Sequence, residues 1–235
     1  MVDYEETRHF YETTDAWGTD LYGTYTPAYI RLFITQSLDA LPITEETKIL
    51  NAGSGGTIYY PKGKQYHLDL VEAKLAGLEN AVVGNVVDMP FPDGFFDIVL
   101  LAGCVISYCE ADKALREVAR VLKPGGRLIV DYERSESVAG RFLTLFRNRD
   151  AVEFSYEYEG KPHRSTFYSD RYILGLLEDN HLRIESSMRF HSTFSMLFWL
   201  PKKTLERLYS RDLKVSNKKL WGKLAHNHIL MAEKQ

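Results

Sequence analysis

The residues with the clearest chemical potential form a glycine-rich stretch, Asn51-Ala52-Gly53-Ser54-Gly55-Gly56, which directly follows the apolar pair Ile49 and Leu50. An apolar run that ends in glycines is typical of a buried strand followed by a sharp turn. Because glycine has no Cβ, the backbone N–H groups of such a turn can come close to a nucleotide-like molecule. Ordinary strands also end in this way, so a functional interpretation needs support from the rest of the chain.

Histidines and cysteines elsewhere in the chain raise the question of a metal site. His226 and His228 lie two residues apart near a predicted C-terminal strand and could bind one ion together. A zinc site needs at least three protein ligands, and no third ligand lies nearby in the sequence, so we predict no metal site. Cys104 and Cys109 are too few for a disulfide framework; they fit a reducing compartment and the role of small buried side chains.

The elements that must position these residues alternate between strands and helices. Strands are predicted at 47–51, 65–69, 81–83, 98–102, 127–131, 182–190 and 228–232, and a hairpin at 154–158 and 165–168. Helices are predicted at 27–40, with Thr26 as N-cap and Pro27 in the first turn, at 111–122, after Ser169 and at 205–224. Residues 57–64 contain Pro61 and Gly63, which oppose a helix.

This alternation favours one α/β domain over residues 1–235, with ligands at the carboxyl ends of its strands. Its parts would be an N-terminal arm and helix (1–42), a cofactor-binding core (47–131) and a substrate side (132–235). The first 25 residues are rich in aromatic side chains and are interpreted either as a packed arm or as a mobile lid.

Composition and charge exclude several classes of protein. The 235 residues are 45% hydrophobic and 26% charged, which is ordinary for a globular protein, and the net charge of −3 provides no basic field for nucleic acid. A basic run near the C-terminus fits a solvated helix face. No apolar window approaches the ~20 residues of a membrane span, and the acidic N-terminus lacks the apolar core of a signal peptide. We expect a cytoplasmic protein; its oligomeric state stays open.

Four motifs in order resemble those of the class I, Rossmann-like S-adenosylmethionine-dependent methyltransferases. They are Asn51-Ala52-Gly53-Ser54-Gly55, the acid Asp69 at the end of the second strand, Met89-Pro90-Phe91-Pro92-Asp93-Gly94 with Phe96-Asp97 beyond it, and Leu122-Lys123-Pro124-Gly125-Gly126-Arg127. The likeness covers about residues 48–131. It implies a seven-stranded, mostly parallel sheet with an antiparallel last strand. The asparagine start and the short spacing from Gly53 to Asp69 resemble a subgroup with a reduced first helix.

The resemblance also implies which residues bind the cofactor, S-adenosyl-L-methionine. The glycine turn would hold its methionine part, and Asp69 would accept hydrogen bonds from the ribose hydroxyls. Asn85 and the backbone of Val86 would face the adenine ring, and Gly103 would lie beside the sulfonium. Because the first motif lacks its usual acid, Tyr22 or Tyr25 could supply contacts to the amino and carboxylate ends. The complete set of implied cofactor residues is Asn51, Gly53, Ser54, Gly55, Asp69, Leu70, Asn85, Val86, Gly103, Tyr22 and Tyr25.

The implied activity is transfer of a methyl group to an oxygen or nitrogen atom of a small molecule, such as a glycan or a secondary metabolite. A hydroxyl acceptor would benefit from a general base, and His163 and His191 are the best-placed candidates, followed by His9; a structural role is the alternative for each. Hairpin aromatics such as Tyr156 and Phe167 would line a substrate pocket or form a packing face. Two other functions stay open: a non-catalytic cofactor-binding scaffold or partner subunit, and a nicotinamide-dinucleotide oxidoreductase, which Ile58 disfavours because it replaces the third glycine.

Overall fold

The computed structural model describes residues 3–14, 17–18, 21–137, 150–158, 160–191, 200–216 and 218–235. The strands are β1 (Lys48–Ala52), β2 (Lys64–Asp69), β3 (Ala81–Val83), β4 (Phe96–Leu101), β5 (Leu122–Glu133), β6 (Ala151–Tyr158), β7 (Lys161–Tyr168), β8 (Leu182–Phe190) and β9 (Asn227–Lys234). The helices are α1 (Tyr4–Glu12), α2 (Leu21–Asp39), α3 (Ala111–Val121), α4 (Asp170–Asp179), α5 (Lys202–Ser216) and α6 (Lys219–Gly222). Two short 3₁₀ helices span Glu72–Leu75 and Val105–Tyr108.

Seven strands form one sheet in the order β3-β2-β1-β4-β5-β9-β8. The pairs from β3 to β5 are all parallel, and β9 runs antiparallel to both of its neighbours, β5 and β8. The predicted fold class, a mostly parallel α/β sheet with an antiparallel last strand, is therefore confirmed.

Successive side chains of the central strands point to opposite faces of the sheet, and helices cover both faces. Leu50 and Val99 belong to a core with α3 and α4, whereas Ile49 and Ile98 belong to a second core with α2 and α5. All four side chains are at most 3% exposed. Continuous apolar runs of this kind are typical of parallel strands that are buried on both faces.

The chain between β1 and β2 forms turns and bends rather than a helix, as Pro61 and Gly63 predicted. A single short 3₁₀ helix, Glu72–Leu75, follows β2. The carboxyl end of β1 is therefore connected to the amino end of β2 by turns and bends alone.

Helix α2 begins earlier than the sequence predicted. It already includes Leu21, and Pro27 lies inside it, so the prediction that Thr26 is an N-cap is wrong. The Thr26 hydroxyl is buried and lies 2.8 Å from Nε2 of His191. The side chains of Ile30, Phe33 and Ile34 pack into the second core, and this burial outweighs the proline signal.

Strands β6 and β7 form the predicted hairpin as a separate two-stranded sheet. Residue Glu159, which was expected in its turn, lies outside the described residues. The predicted cap of α4 is confirmed, because the Ser169 hydroxyl accepts a hydrogen bond from the N–H of Tyr172 at 3.1 Å. Among the helices that the structure describes, none combines the length and apolarity needed to cross a membrane.

Candidate functional site

A cavity of about 490 Å³ lies at the carboxyl ends of the parallel strands. Gly53, Asp69, Gly103 and Glu133 come from the ends of β1, β2, β4 and β5, respectively, and all four line it. Helix α1 and the β6–β7 hairpin supply further walls through side chains such as Tyr11. In open α/β sheets this edge is the usual place for ligands.

The glycine turn forms one end of the cavity. Gly53 adopts φ +70°, and a Cβ at this position would lie 2.6 Å from the side chain of Val105. Gly55 also has a positive φ, +51°, but a Cβ there would meet no atom within 4 Å. The turn therefore packs tightly at Gly53 and leaves open space at Gly55, which is the arrangement that a ligand close to the backbone needs.

Asp69 lies beside this turn and is fixed by backbone donors. Its Oδ2 accepts a hydrogen bond from the N–H of Gly55 at 2.7 Å, and its Oδ1 accepts one from the N–H of Val71 at 2.9 Å. Each carboxylate oxygen can accept more than one hydrogen bond, so both retain capacity for ligand hydroxyls. The remaining acceptor capacity and the open space fit the sugar hydroxyls of S-adenosylmethionine, and Leu70 lines the cavity next to Asp69.

Asn85 and Val86 follow the third strand and also line the cavity. The side-chain oxygen of Asn85 accepts a hydrogen bond from the N–H of Val87 at 3.2 Å, which orients the amide. The Val86 side chain is almost fully buried and presents an apolar surface suited to the edge of a flat ring.

Gly103 and Cys104 form a strained turn that the buried carboxylate of Asp131 holds. Their φ angles are +96° and +58°. Asp131 accepts hydrogen bonds from the N–H of Gly103 at 2.7 Å and from the N–H and Sγ of Cys104 at 3.1 and 3.2 Å. Burial raises the pKa of Asp131 to about 6, although these hydrogen bonds oppose the rise. Burial likewise raises the pKa of the Cys104 thiol.

Three of the implied cofactor residues lie outside the described cavity lining. Asn51 is buried, donates from Nδ2 to the carbonyl of Thr57 at 2.5 Å, and its Oδ1 accepts no hydrogen bond from the described residues. The Ser54 hydroxyl accepts from the N–H of Gly56 at 3.2 Å. Tyr25 stacks on Tyr209, with ring centroids 4.5 Å apart. Of the two tyrosines, Tyr22 is the one that reaches the cavity.

The two candidate base histidines, His163 and His191, also lie behind the cavity wall. His163 stacks on Phe10 with ring centroids 3.8 Å apart, and burial lowers its pKa to about 4. His191 hydrogen-bonds through Nε2 to Thr26 and through its backbone N–H to Asp212, and burial holds its pKa well below the usual value. Among the described residues, neither ring lines the 490 Å³ cavity. Their catalytic roles remain untested predictions.

The charged group that the sequence did not single out is Glu133, at the end of β5. Its carboxylate accepts hydrogen bonds from Tyr22 at 3.0 Å and Ser165 at 2.9 Å, and Nε2 of His226 lies 3.4 Å from Oε1. The Glu133 and His226 side chains line the cavity and are 12% and 13% exposed. Burial alone raises the pKa of Glu133, but His226 and the hydroxyls of Ser165 and Tyr22 outweigh it and hold the pKa below its usual range.

His226 and His228 belong to different networks. Nδ1 of His226 lies 3.2 Å from the hydroxyl of Ser137, whereas Nδ1 of His228 lies 3.0 Å from Asp170. Within the part of the chain that the structure describes, no cluster of three or more potential metal ligands is present.

The sheet and the cavity at its carboxyl edge form a Rossmann-like α/β architecture. Residues 47–130 match the protein family described as "Methyltransferase domain". A segment of 85 residues is 44% identical to the ubiquinone/menaquinone biosynthesis C-methyltransferase UbiE of Vibrio vulnificus, covering 36% of this chain and 31% of that protein. The chain thus matches about a third of the length of the curated relatives.

Solved structures resemble the chain over nearly its whole length. A protein from Pyrococcus horikoshii superposes with a TM-score of 0.61 at 14% identity, covering 98% of this chain and 99% of the other. The 1,6-didemethyltoxoflavin-N1-methyltransferase of Burkholderia thailandensis, with its substrate and S-adenosylhomocysteine bound, has a TM-score of 0.54 at 16% identity; it covers 99% of this chain and 86% of the other. At such identities the likeness establishes the fold.

Proposed function

We propose that this protein is an S-adenosylmethionine-dependent methyltransferase that acts on a small molecule. The observation that carries the proposal is the cavity in which the open turn at Gly55 and the carboxylate of Asp69 lie at one end and aromatic side chains lie at the other. Methyl transfer from a sulfonium mainly requires that the reacting atoms be held in line, and positioning of this kind contributes about 7–11 kcal/mol. A cavity shared by two ligands provides that positioning.

The residues that would hold the cofactor lie at or beyond the ends of four strands, β1 to β4. The glycine turn would take the amino acid part, Asp69 the ribose hydroxyls, and Asn85 with Val86 the adenine. Gly103 would lie beside the sulfonium, and a Cβ at this position would lie 3.1 Å from the Tyr59 hydroxyl, so a side chain would crowd this part of the site. Tyr22 is the candidate for the amino or carboxylate end. The cofactor supplies an activated methyl group when bound.

The acceptor is proposed to be a largely apolar, ring-containing molecule, because Trp17, Tyr108, Phe154, Tyr156 and Phe167 line the cavity. An oxygen or nitrogen acceptor remains our proposal. The similarity to UbiE, which is named as a C-methyltransferase, supports carbon as a second candidate acceptor atom. The similar Burkholderia fold, named as an N1-methyltransferase, is compatible with nitrogen.

Calorimetric titration of the protein with S-adenosylmethionine, S-adenosylhomocysteine and NAD tests the cofactor. We expect both sulfur nucleosides to bind; binding of NAD alone would instead support the oxidoreductase alternative. Incubation with methyl-labelled S-adenosylmethionine and a small-molecule extract then separates an enzyme from a non-catalytic scaffold. Failure to label any product despite cofactor binding would favour the scaffold.

The Asp69→Ala variant tests the assigned cofactor residues. A hydrogen bond to a charged acceptor contributes roughly 1.5–3 kcal/mol, so we expect cofactor affinity to fall by at least about tenfold. Asp179→Ala is the matched control, because Asp179 is exposed at the end of α4. Equal affinities of both variants and the wild type would contradict the assignment.

A further inference from the structure

We propose that Glu133 is the anionic anchor for a cationic amine, and that the methyl acceptor is therefore an amine nitrogen bound as an ammonium ion between Glu133 and the cavity's aromatic rings. This inference rests on the proposed methyltransferase function and names the substrate class of the same cavity.

The first argument is the missing counter-ion of Glu133. A buried carboxylate is costly unless a cation or several hydrogen bonds compensate for the lost water. Among the ion pairs of the described residues, Glu133 contacts no lysine or arginine, and its one partner that can carry positive charge is His226. The 3.4 Å between Nε2 and Oε1 exceeds the ~2.7–2.9 Å of a charge-assisted hydrogen bond. The carboxylate is thus held in place but weakly neutralised.

The second argument is a comparison with Asp170, another mostly buried carboxylate, whose side chain is 14% exposed. Asp170 is 2.8 Å from both Arg134 and Arg189, and 3.0 Å from His228. Its charge is fully compensated by the protein itself, and it does not contribute to the described cavity lining. Glu133 lacks such cations and faces the cavity. Asp170 thus has its cations supplied by the protein, whereas Glu133 has only His226 and can accept a cation from a ligand.

The third argument is the set of hydrogen bonds that keep Glu133 ionised and oriented. Tyr22 from α2 and Ser165 from β7 each donate a hydroxyl hydrogen to it. A carboxylate offers about four acceptor positions, so room remains for an N–H donor of a ligand. With His226, which directly precedes β9, three separate parts of the chain contact this one carboxylate. Such an arrangement is typical of a preorganised binding site.

The fourth argument is the aromatic surface around the carboxylate. The His226 ring lies 5.2 Å from the Phe167 ring and 6.0 Å from the Tyr22 ring, measured between centroids. Phe154 lies 5.8 Å from Tyr156 on the same hairpin, and both line the cavity. Aromatic faces attract ammonium groups, and cages of such faces are a common means of recognising them.

The reaction balances with an amine. An ammonium ion has no lone pair, so one N–H proton passes to a Glu133 oxygen as the nitrogen forms its bond to the methyl carbon. The carbon–sulfur bond breaks, and its electron pair stays on sulfur. The product leaves as the methylated ammonium ion, and Glu133 releases its proton to solvent and is again a carboxylate.

Benzylamine and benzyl alcohol are suitable probes, because they have similar shapes and only the amine is cationic at neutral pH. Each is titrated calorimetrically into the protein saturated with S-adenosylhomocysteine. We expect benzylamine to bind at least about tenfold more tightly than benzyl alcohol. Equal affinities, tighter binding of the alcohol, or no binding of benzylamine at millimolar concentration would overturn the inference.

The Glu133→Gln variant assigns that preference to the carboxylate. Glutamine keeps the length and an acceptor oxygen but removes the charge, so the preference for the amine should disappear. Glu157→Gln is the matched control, since Glu157 is exposed on β6 and should retain the full preference. A preference that persists in Glu133→Gln, with a native circular dichroism spectrum, would contradict the assignment.

A product assay provides a second readout and separates two kinds of failure. Label transferred from S-adenosylmethionine into a small-molecule extract should be retained by a cation exchanger at neutral pH, and Glu133→Gln should both raise KM and lower kcat, because it removes the anchor and the proton acceptor together. Label found in neutral or acidic products alone would overturn the amine inference while upholding the methyltransferase. Absence of S-adenosylhomocysteine binding by the wild type would instead reject the proposed function itself.

Discussion

The two ends of the cavity are built in different ways. At the proposed cofactor end, the partners of Asp69 are Gly55 and Val71, which lie 14 and 2 residues away in the chain. At the proposed acceptor end, the hydroxyl partners of Glu133 are Tyr22 and Ser165, which lie 111 and 32 residues away. The contacts at the first end are made by residues close in the sequence, and those at the second by residues that only the tertiary fold brings together. Contacts between residues close in the sequence leave a recognisable motif, whereas contacts between distant residues do not.

This difference predicts that the acceptor end depends on distant packing. Arg134 donates from its guanidinium to the carbonyl of Ala225 at 2.7 Å and from its backbone N–H to that of His226 at 2.7 Å, and Asp170 neutralises this arginine. Burial alone raises the pKa of Asp170, but the hydrogen bonds and charges of His228 and Arg134 hold it below its usual range.

The largest effect is expected for Asp170→Ala, which leaves the partly buried Arg189 without a carboxylate and the buried Arg134 with Glu136 alone. Breaking a buried ion pair from one side costs about 3–5 kcal/mol, and we expect that loss in urea unfolding. Asp112→Ala is the control, because its pair with Arg116 is exposed and 3.6 Å long, and should cost less than about 1 kcal/mol. Similar losses for both variants would show that the Asp170 network does not support the acceptor end.

Gly53→Ala should give the next largest effect, at the cofactor end. The new Cβ would combine a positive φ with a 2.6 Å contact to Val105, and we expect a loss of about 2–3 kcal/mol. Gly125→Ala is matched in φ, +74°, but its Cβ would meet nothing within 4 Å, so about 1 kcal/mol is expected. Calorimetry should show weaker S-adenosylhomocysteine binding for Gly53→Ala alone. Unchanged binding in that variant would argue against a ligand at the glycine turn.

A crossed comparison of Asp69→Ala and Glu133→Gln sharpens the contrast between the two ends. We expect the first variant to lose about tenfold in S-adenosylhomocysteine affinity and to keep its preference for benzylamine at saturating nucleoside. Glu133→Gln should keep its S-adenosylhomocysteine affinity and lose the preference for benzylamine, because sites without shared partners behave additively. If each variant impaired both ligands equally, the division of the cavity into two ends would be untenable.

The smallest expected effect is on the pH dependence of the free energy of unfolding, and it tests the buried state of His163. The pKa of His163 is lowered by burial from 6.5 to about 4, so the unfolded chain takes up this proton first as the pH falls. His163 therefore contributes stability that is present above pH 6.5 and is lost as the pH falls towards about 4. Allowing for solvent screening, the loss should be on the order of 1 kcal/mol.

His163→Gln should remove that share of the pH dependence when unfolding midpoints in urea are compared across this window. Asp131 acts with the opposite sign there, because its pKa is raised to about 6 and it stabilises the fold as the pH falls. The difference between wild type and variant, rather than either curve, is therefore the measurement. Parallel curves would show that His163 is not a buried neutral histidine.

The turn at Gly53 and the position of Asp69 at a strand end could be predicted from the sequence for a physical reason. Glycines with positive φ, such as Gly53 and Gly55, and a carboxylate at a strand end are local requirements, and each is visible in the residue type. The strands were predicted for the same reason, because apolar runs follow from burial on both faces. In these cases the geometry is determined by residues that are close together in the sequence.

The acceptor end was predicted poorly, and Glu133 and His226 show why. Glu133 follows Asp131 by two residues, which places both on one side of β5, and this alternation was the available signal. The sequence suggested His226 as a possible metal partner of His228 because the two lie close together in the chain. In the structure His226 contacts Ser137 and His228 contacts Asp170, and these distant partners are not visible in the sequence. Thr26 illustrates the converse, because a local capping signal was overridden by packing of α2.

The hairpin of β6 and β7 carries a consequence for how the protein can diversify. Apart from a bridge between Arg134 and Tyr168 at its end, its described strands pair with each other and not with the seven-stranded sheet. It nevertheless supplies Ser165 and several cavity aromatics. Sequence changes in this one hairpin could therefore alter the proposed acceptor specificity and leave the strand ends that form the proposed cofactor site unchanged.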